Sequence, residues 1–335
     1  MKYYFNNQSD INSQQLQTLA DRFVNLTSME GLCRLLGVTE QTLAKHILKP
    51  EYQTFHIPKP GGKKRLIQHP GSGLKAIQQT LNKYLQAVYY TVRSESAHGF
   101  IICPTDDLQP RNIYTNALAH RSGEWLLNID FKDFFHTITT THLKNLFRHL
   151  FFFSPELTTA LTTLTTWQGR LPMGAPTSPV LSNLVCLNLD YQMEQLAQQH
   201  SAVYTRYADD ITFSFRTQPS PDWMKDVMVI VLQNGFTIQQ EKMRLQTRME
   251  KPEITGLVMG DGPLPSISKA WLKRLKEEIR IFRWLMSEAV KERGLFHVFV
   301  FDKFKQSVTG QIAFVGFMLG KDSREYRKLM VKVGG

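Results

Sequence analysis

Cysteine is scarce in this chain of 335 residues: Cys33, Cys103 and Cys186 are odd in number and far apart. A disulfide framework and a zinc site built on paired thiolates are therefore excluded, and a reducing cytoplasm is the expected setting. The first residues, MKYYFNNQSDINSQQ, have no apolar stretch, so no secretory leader is expected. No run approaches the roughly 20 apolar residues that a bilayer crossing needs, so secreted and membrane-spanning classes are set aside. Acidic residues are in deficit, 29 Asp+Glu against 40 Lys+Arg, for a net charge of +11. That imbalance favours a polyanionic partner, nucleic acid ahead of acidic membrane. No internal repeat is visible, and the one biased tract, Thr-rich around 158–166, reads as helix surface.

What is present fits a folded protein with a sizeable core: 42% hydrophobic and 21% charged residues. The positive charge is uneven. From Lys269 onward, 15 Lys+Arg face 7 Asp+Glu, a net of +8 out of the whole chain's +11. This basic tail can grip a phosphate backbone or be an ordinary solvated helical face.

Periodicity predicts short helices over 9–48, with Thr39 as a cap, and a hairpin over 52–69 around the basic turn Lys59–Lys64. A long helix is expected at 73–92, a buried strand at 125–131, and helices at 141–151, 155–166, 180–199 and 222–234. Residues 202–215 and 236–258 read as hairpins, and the pattern turns helical from Ser268, after the Gly/Pro-rich break at 260–265.

The chemistry is suggested by carboxylates. Asp209-Asp210 lies between two apolar, aromatic-rich strand patterns, and neither Asp is followed by the Gly that a polar hairpin turn usually needs. Adjacent like charges on a rigid turn are costly unless a cation neutralises them. Asp106-Asp107, by contrast, sits in an evident loop and reads as surface. Asp130 closes a second apolar strand, WLLNID. It is either a helix cap or a third ligand in a carboxylate set for two-metal phosphoryl transfer.

Tyr207-Ala-Asp-Asp210 resembles the YxDD box of reverse transcriptases. Asn128-Ile-Asp-Phe-Lys-Asp-Phe-Phe135 resembles their first palm motif, and Leu171-Pro-Met-Gly-Ala-Pro-Thr-Ser-Pro-Val-Leu-Ser-Asn183 the LPQGxPxSPxLSN motif between the two. All three stand in family order. Asn116-Ala-Leu-Ala-His120 is similar to the NAxxH element of bacterial retron reverse transcriptases, and Ile254-Thr255-Gly256 to their VTG element.

The resemblance implies an α+β right-hand polymerase fold: an N-terminal helical layer (1–50), fingers and palm with an antiparallel sheet plus helices (51–262), and a basic, RNA-binding helical thumb (263–335). It implies two Mg²⁺ held by Asp130, Asp209 and Asp210, and a steric gate at Phe135 that excludes a 2′-OH, with Phe134 as its core neighbour. Backbone N–H groups of Asp133 and Phe134 are expected to face the triphosphate of a dNTP, as are the cations Lys59, Lys63 and Arg65. Lys242 corresponds to a candidate general acid for the pyrophosphate. Met173 stands where the family usually has Gln, a departure that removes a hydrogen bond to the incoming nucleotide. RNA recognition is assigned to Asn116, His120, Ile254, Thr255, Gly256, Lys269, Lys273, Arg274 and Lys276.

The implied partners are a cognate structured non-coding RNA, primed from a guanosine 2′-OH, and its branched RNA–DNA product (msDNA). A separate toxin-like effector in an anti-phage defence unit is implied as well. With the chain ending at Gly335, an RNase H domain has no room, so template removal is expected to fall to a host RNase H. Alternatives are a reverse transcriptase of intron, diversity-generating or abortive-infection type, or a catalytically idle RNA-binding scaffold.

Overall fold

The computed structural model describes residues 10–58, 62, 64–262, 264–289 and 296–334. It opens with α1 (Ser13–Val24), α2 (Met29–Leu36) and α3 (Glu40–Leu48). Asn12, Ser28 and Thr39 cap them, each side chain accepting the backbone N–H three residues on. The hairpin follows as β1 (Tyr52–Pro58) and β2 (Lys64–Pro70), paired antiparallel from Tyr52–Pro70 to Pro58–Lys64. Lys59 and Lys63 lie outside the described residues. Leu16 and Phe23 of α1 are fully buried in the main core, which also takes in Leu74, Leu81 and Leu85 of α4 (Ser72–Val92).

A central antiparallel sheet organises the rest. After α5 (Ile113–Ala119) comes β3 (Trp125–Asp130), then α6 (Phe134–Thr137), α7 (Thr140–Asn145), a π turn (Leu146–Leu150) and α8 (Pro155–Thr165). Next are α9 (Ser178–Val185), α10 (Leu187–Gln199), β4 (Val203–Tyr207), β5 (Asp210–Phe215), α11 (Pro221–Gln233) and β6 (Arg244–Thr247). The strand order is β4-β5-β3-β6. Alternation along β3 sends Leu127 and Ile129 into the main core and Leu126 into a second one, so this sheet has apolar packing on both faces.

The second core joins Ile113 and Ala117 of α5 to a small sheet and three helices. These are β7 (Glu253–Ile254), β8 (Leu257–Val258), β9 (Ser266–Ile267), α12 (Lys269–Ala289), α13 (Phe296–Leu319) and α14 (Arg324–Gly334). Leu275, Ile279 and Phe282 form the inward stripe of α12. The small sheet straddles residue 262, and Ile254, Leu257 and Ile267 pack with the helices that follow.

Four local expectations change. The helix expected over 180–199 is two helices, turned at Cys186 (φ −80°, ψ 0°). Leu184, Leu189 and Met193 stay buried across the break, so apolar spacing does not register it. Residues 236–258 are not one hairpin: Ile238 bridges Phe131, β6 pairs with β3, and only Glu253–Val258 folds back on itself. A strand pattern does not reveal its partner. The Thr-rich tract is half inside, with Thr158, Thr162, Thr165 and Thr166 buried. Thr165 and Thr166 donate their hydroxyls to the Leu161 and Thr162 carbonyls, four residues back, at 2.7 and 2.8 Å. Self-satisfied hydroxyls of this kind tolerate burial. Finally, Asp107 is not surface: its side chain is 6% exposed and lies 4.0 Å from Arg93.

Candidate active site

Asp130 and Asp210 stand directly opposite each other at the end of the β3–β5 ladder. Tyr207 also pairs with Asp210, so β4 and β5 are joined by the two-residue turn Ala208-Asp209. Ala208 adopts φ +59° there, a left-handed conformation that costs a residue with a Cβ roughly 1–2 kcal/mol. The Asp209 carbonyl accepts the Phe131 N–H at 3.1 Å, tying the turn to the end of β3. Asp130, Asp209 and Asp210, remote in sequence, thus share one end of the sheet.

Their electrostatics follow. Burial, then the charge of Asp130, raises the Asp209 carboxyl above its usual range. Burial, then Asp209 and Asp130, pushes Asp210 up to about 7, and Asp210 hydrogen-bonds Asp130. Lys242, on a short 3₁₀ turn after Ile238, places Nζ 2.8 Å from both oxygens of Asp130. Arg65, exposed on β2, is close enough for its charge to lower the Asp209 pKa against those larger effects.

Around the carboxylates, Asp133 opens α6 in a left-handed conformation (φ +48°, ψ +39°). Phe134 is buried among Phe131 and Phe236, at 5.8 and 5.6 Å between ring centroids. Phe135 is only half-buried. Met173 is held through its backbone: its carbonyl accepts the Gln68 N–H at 2.7 Å. Gln68 Oε1 also accepts the Met173 N–H at 3.4 Å and pairs with His136 Nε2 at 2.9 Å. The base of the β1–β2 hairpin is thereby fastened to the Leu171–Asn183 segment.

The residues assigned to RNA recognition do not form one surface, and several are corrected. His120 is fully buried, bridging the Ser214 and Thr205 hydroxyls at 2.8 and 2.7 Å. Asn116 and Ile254 are each 1% exposed. These three side chains brace the two cores and leave nothing for RNA to touch. Asn116 Nδ2 instead meets Thr255 Oγ1 at 3.5 Å, across the tight β7–β8 turn in which Thr255 and Gly256 have φ of +48° and +83°. Gly256 is exposed. Lys276 pairs with Glu325 at 2.6 Å, which ties α12 to α14. Lys269, Lys273 and Arg274 are exposed, but helical geometry puts Lys269 and Lys273 on one flank of α12 and Arg274 on another.

The support beneath the turn went unread in the sequence. Arg206, Asp190, Asn183 and Gly99 pack behind Ala208, all without a motif role of their own, although Arg206 and Tyr207 are neighbours and Asn183 ends the Leu171–Asn183 motif. Arg206 Nη1 donates to the Ala208 carbonyl at 3.1 Å and to Asn183 Oδ1 at 2.9 Å. An Arg inside an otherwise apolar strand pattern, directly before Tyr207, was a signal the sequence offered.

Among the described residues, no trio of His, Cys, Asp or Glu stands ready at ion-binding spacing. Asp130 turns its oxygens to the Lys242 ammonium, and Asp210 holds a proton more tightly than a solvated carboxyl. Both features compensate excess negative charge where three carboxylates converge. An all-oxygen, multiply anionic donor set suits a hard divalent cation, so the residues fit the metal that the chemistry calls for.

Comparison with known proteins gives the family. Residues 57–261 match the family described as Reverse transcriptase (RNA-dependent DNA polymerase). The retron Mx162 reverse transcriptase of Myxococcus xanthus is 30% identical over 310 residues, covering 81% of this chain and 62% of that protein. The retron Ec86 reverse transcriptase of Escherichia coli is 26% identical over 330 residues, covering 96% and 93%. The retron Mx65 enzyme of Myxococcus xanthus is 33% identical, covering 69% and 57%. The chain thus spans less than two thirds of both Myxococcus proteins and nearly all of the Escherichia one. Among solved structures, telomerase from Candida albicans aligns with a TM-score of 0.44 at 12% identity, over 87% of this chain and 64% of that one, a loose likeness.

Proposed function

We propose that this chain, which belongs to the reverse transcriptases (RNA-dependent DNA polymerases), is of the bacterial retron type, as its likeness to retron enzymes supports, and copies a cognate structured RNA into DNA at the Asp130–Asp209–Asp210 end of the central sheet. The single observation that carries this is the register of Asp130 against Asp210, with Asp209 on the adjoining turn.

In this reading, the right-hand fold has its fingers and palm within residues 51–262, its thumb from 263, and an N-terminal helical layer before residue 51. Two Mg²⁺, held by the three carboxylates, would activate the primer hydroxyl and neutralise charge on the departing pyrophosphate. Arg65, with a planar guanidinium exposed on β2 near Asp209, binds triphosphate oxygens bidentately. Backbone N–H groups at Asp133 and Phe134 assist it, as do Lys59 and Lys63. The primer hydroxyl loses its proton to solvent and its oxygen attacks the α-phosphorus, the α–β phosphoanhydride bond breaks, and Lys242 donates a proton to the departing pyrophosphate. Phe135 excludes the 2′-OH of a ribonucleotide.

In the same reading, which extends the retron resemblance of the motifs, the enzyme is cytoplasmic, primes from a guanosine 2′-OH, yields branched RNA–DNA, and works beside an effector protein and host RNase H. Asp209→Asn with Asp210→Asn abolishes DNA synthesis while RNA binding persists; full-length DNA from the double variant overturns the site. Sequencing nucleic acid that co-purifies with the protein should return a branched RNA–DNA, and linear cellular RNA alone would remove the retron product from the reading.

A further inference from the structure

Phe100 lies outside every motif named above, yet it touches the ring assigned as the sugar gate. The segment leading to it runs beside β4: the Arg206 N–H donates to the Ser96 carbonyl and the His98 N–H to the Arg206 carbonyl, each at 2.8 Å. Gly99 then lies flush against the turn that carries Asp209. A Cβ on Gly99 would sit 2.7 Å from the Ala208 nitrogen, closer than side chains come to backbone, and a tight 3.2 Å from the Tyr207 carbonyl carbon. The Gly99 carbonyl accepts Asn183 Nδ2 at 2.9 Å, and the Phe100 carbonyl accepts Gln86 Nε2 at 3.1 Å.

Held at both ends, Phe100 adopts φ +59°. A bulky residue persists in that region only where its surroundings over-determine it, and such strain concentrates at functional sites. Here the strained backbone aims a ring. The Phe100 and Phe135 centroids are 6.2 Å apart with planes tilted 35°. Phe135 also meets Phe134 at 5.5 Å, and Phe134 belongs to the stack with Phe131 and Phe236. The half-buried Phe135 ring therefore contacts both the core stack and Phe100, and Phe100 is referenced through Gly99 to the catalytic turn.

We propose that Phe100 is a specificity-determining residue, which positions the Phe135 ring so that it rejects ribonucleotides. The proposal rests on the reading of Phe135 as the sugar gate. A ring excludes one hydroxyl only while its position is fixed to a fraction of an ångström; without Phe100, Phe135 can tilt away and admit the 2′-OH.

The test compares incorporation efficiency for rNTP and dNTP on one primed RNA template in the wild type, Phe100→Ala, Phe100→Leu, Phe100→Tyr, Phe135→Ala and the double Phe100→Ala/Phe135→Ala. Because the ratio is taken within one preparation, a lower folded fraction cancels. Phe135→Ala should raise the rNTP:dNTP ratio about 100-fold, within the range that pocket sterics supply. Phe100→Ala and Phe100→Leu should each raise it about tenfold, on the same scale, and Phe100→Tyr, which keeps the flat ring, should stay near wild type. The double variant should not exceed Phe135→Ala, because both act through one ring. An unchanged ratio in both Phe100→Ala and Phe100→Leu, with Phe135→Ala effective, overturns the role of Phe100 and leaves the gate standing. A double variant clearly more permissive than Phe135→Ala also overturns it. No effect from Phe135→Ala removes the gate reading itself, and the proposal with it.

Discussion

Arg206 and Asp190 meet through two parallel hydrogen bonds, Nε to Oδ1 and Nη2 to Oδ2, both 2.7 Å, with both side chains fully buried. The Tyr204 hydroxyl donates to the same carboxylate at 2.7 Å. Since Arg206 also holds the Ala208 carbonyl, the pair joins α10 to the turn bearing Asp209. Stranding one member of a buried pair costs about 3–5 kcal/mol, whereas replacing both by apolar groups is often neutral. Arg206→Met alone should therefore lower the denaturation midpoint severely, and adding Asp190→Leu should recover most of the loss. The stable double variant still lacks the hold on Ala208, so DNA synthesis should need more Mg²⁺ for half-maximal rate. A wild-type Mg²⁺ requirement in that variant would detach the pair from the site.

Lys242 presents a second measurable relationship, because its ammonium engages both oxygens of Asp130. Lys242→Met should slow single-turnover nucleotide addition by about 10²–10⁴-fold, the usual scale for a lost general acid. Divalent-ion affinity in the absence of nucleotide should rise, since a competing cation is gone. Slowed addition without that tighter ion binding would mean that the ammonium does not contend with the metal.

Two buried histidines make the fold acid-sensitive. Burial holds His120 down at about 3, and burial with the Arg111 and His120 charges does the same to His98, against an ordinary 6.5. Below about pH 6.5 the unfolded chain binds protons that the folded chain refuses. Stability should then fall as pH drops from 6.5 toward 3, by up to a few kcal/mol per histidine at about 1.4 kcal/mol per unit. Urea midpoints between pH 8 and pH 5 should show this decline, and His120→Gln, which can still bridge two hydroxyls, should flatten it. An equal slope in both proteins would assign the acid sensitivity to other groups.

Met173 allows a gain-of-contact experiment. Its backbone is fastened to Gln68, while its side chain is half-exposed in the segment where reverse transcriptases usually carry Gln. Met173→Gln should lower the KM for dNTP by roughly 2–10-fold, the worth of one ordinary hydrogen bond, with kcat little altered. Steady-state kinetics decide this, and a raised KM would show that the pocket is shaped around the thioether.

The sheet and its carboxylates were legible because their signals are short-range. An apolar run ending in Asp130 and two aromatic-rich runs flanking Asp209-Asp210 announce strands that expose acids at their ends. The Thr39 cap and the inward stripe of α12 are equally local. Asn116 and His120 were misread for the opposite reason. Polar side chains look like surface until their partners are known, and those partners, Thr255, Ser214 and Thr205, come from distant segments.

Residue order alone therefore dictated most of the elements and the chemical groups they carry, since helical and strand periods, caps and turn preferences act within a few residues. Packing decided the rest: that β6 lies against β3, that Arg206 is sunk beneath Ala208, and that Phe100 backs Phe135. Those outcomes depend on which distant surfaces exclude water together and which buried polar groups find mates, a comparison made across the whole chain at once.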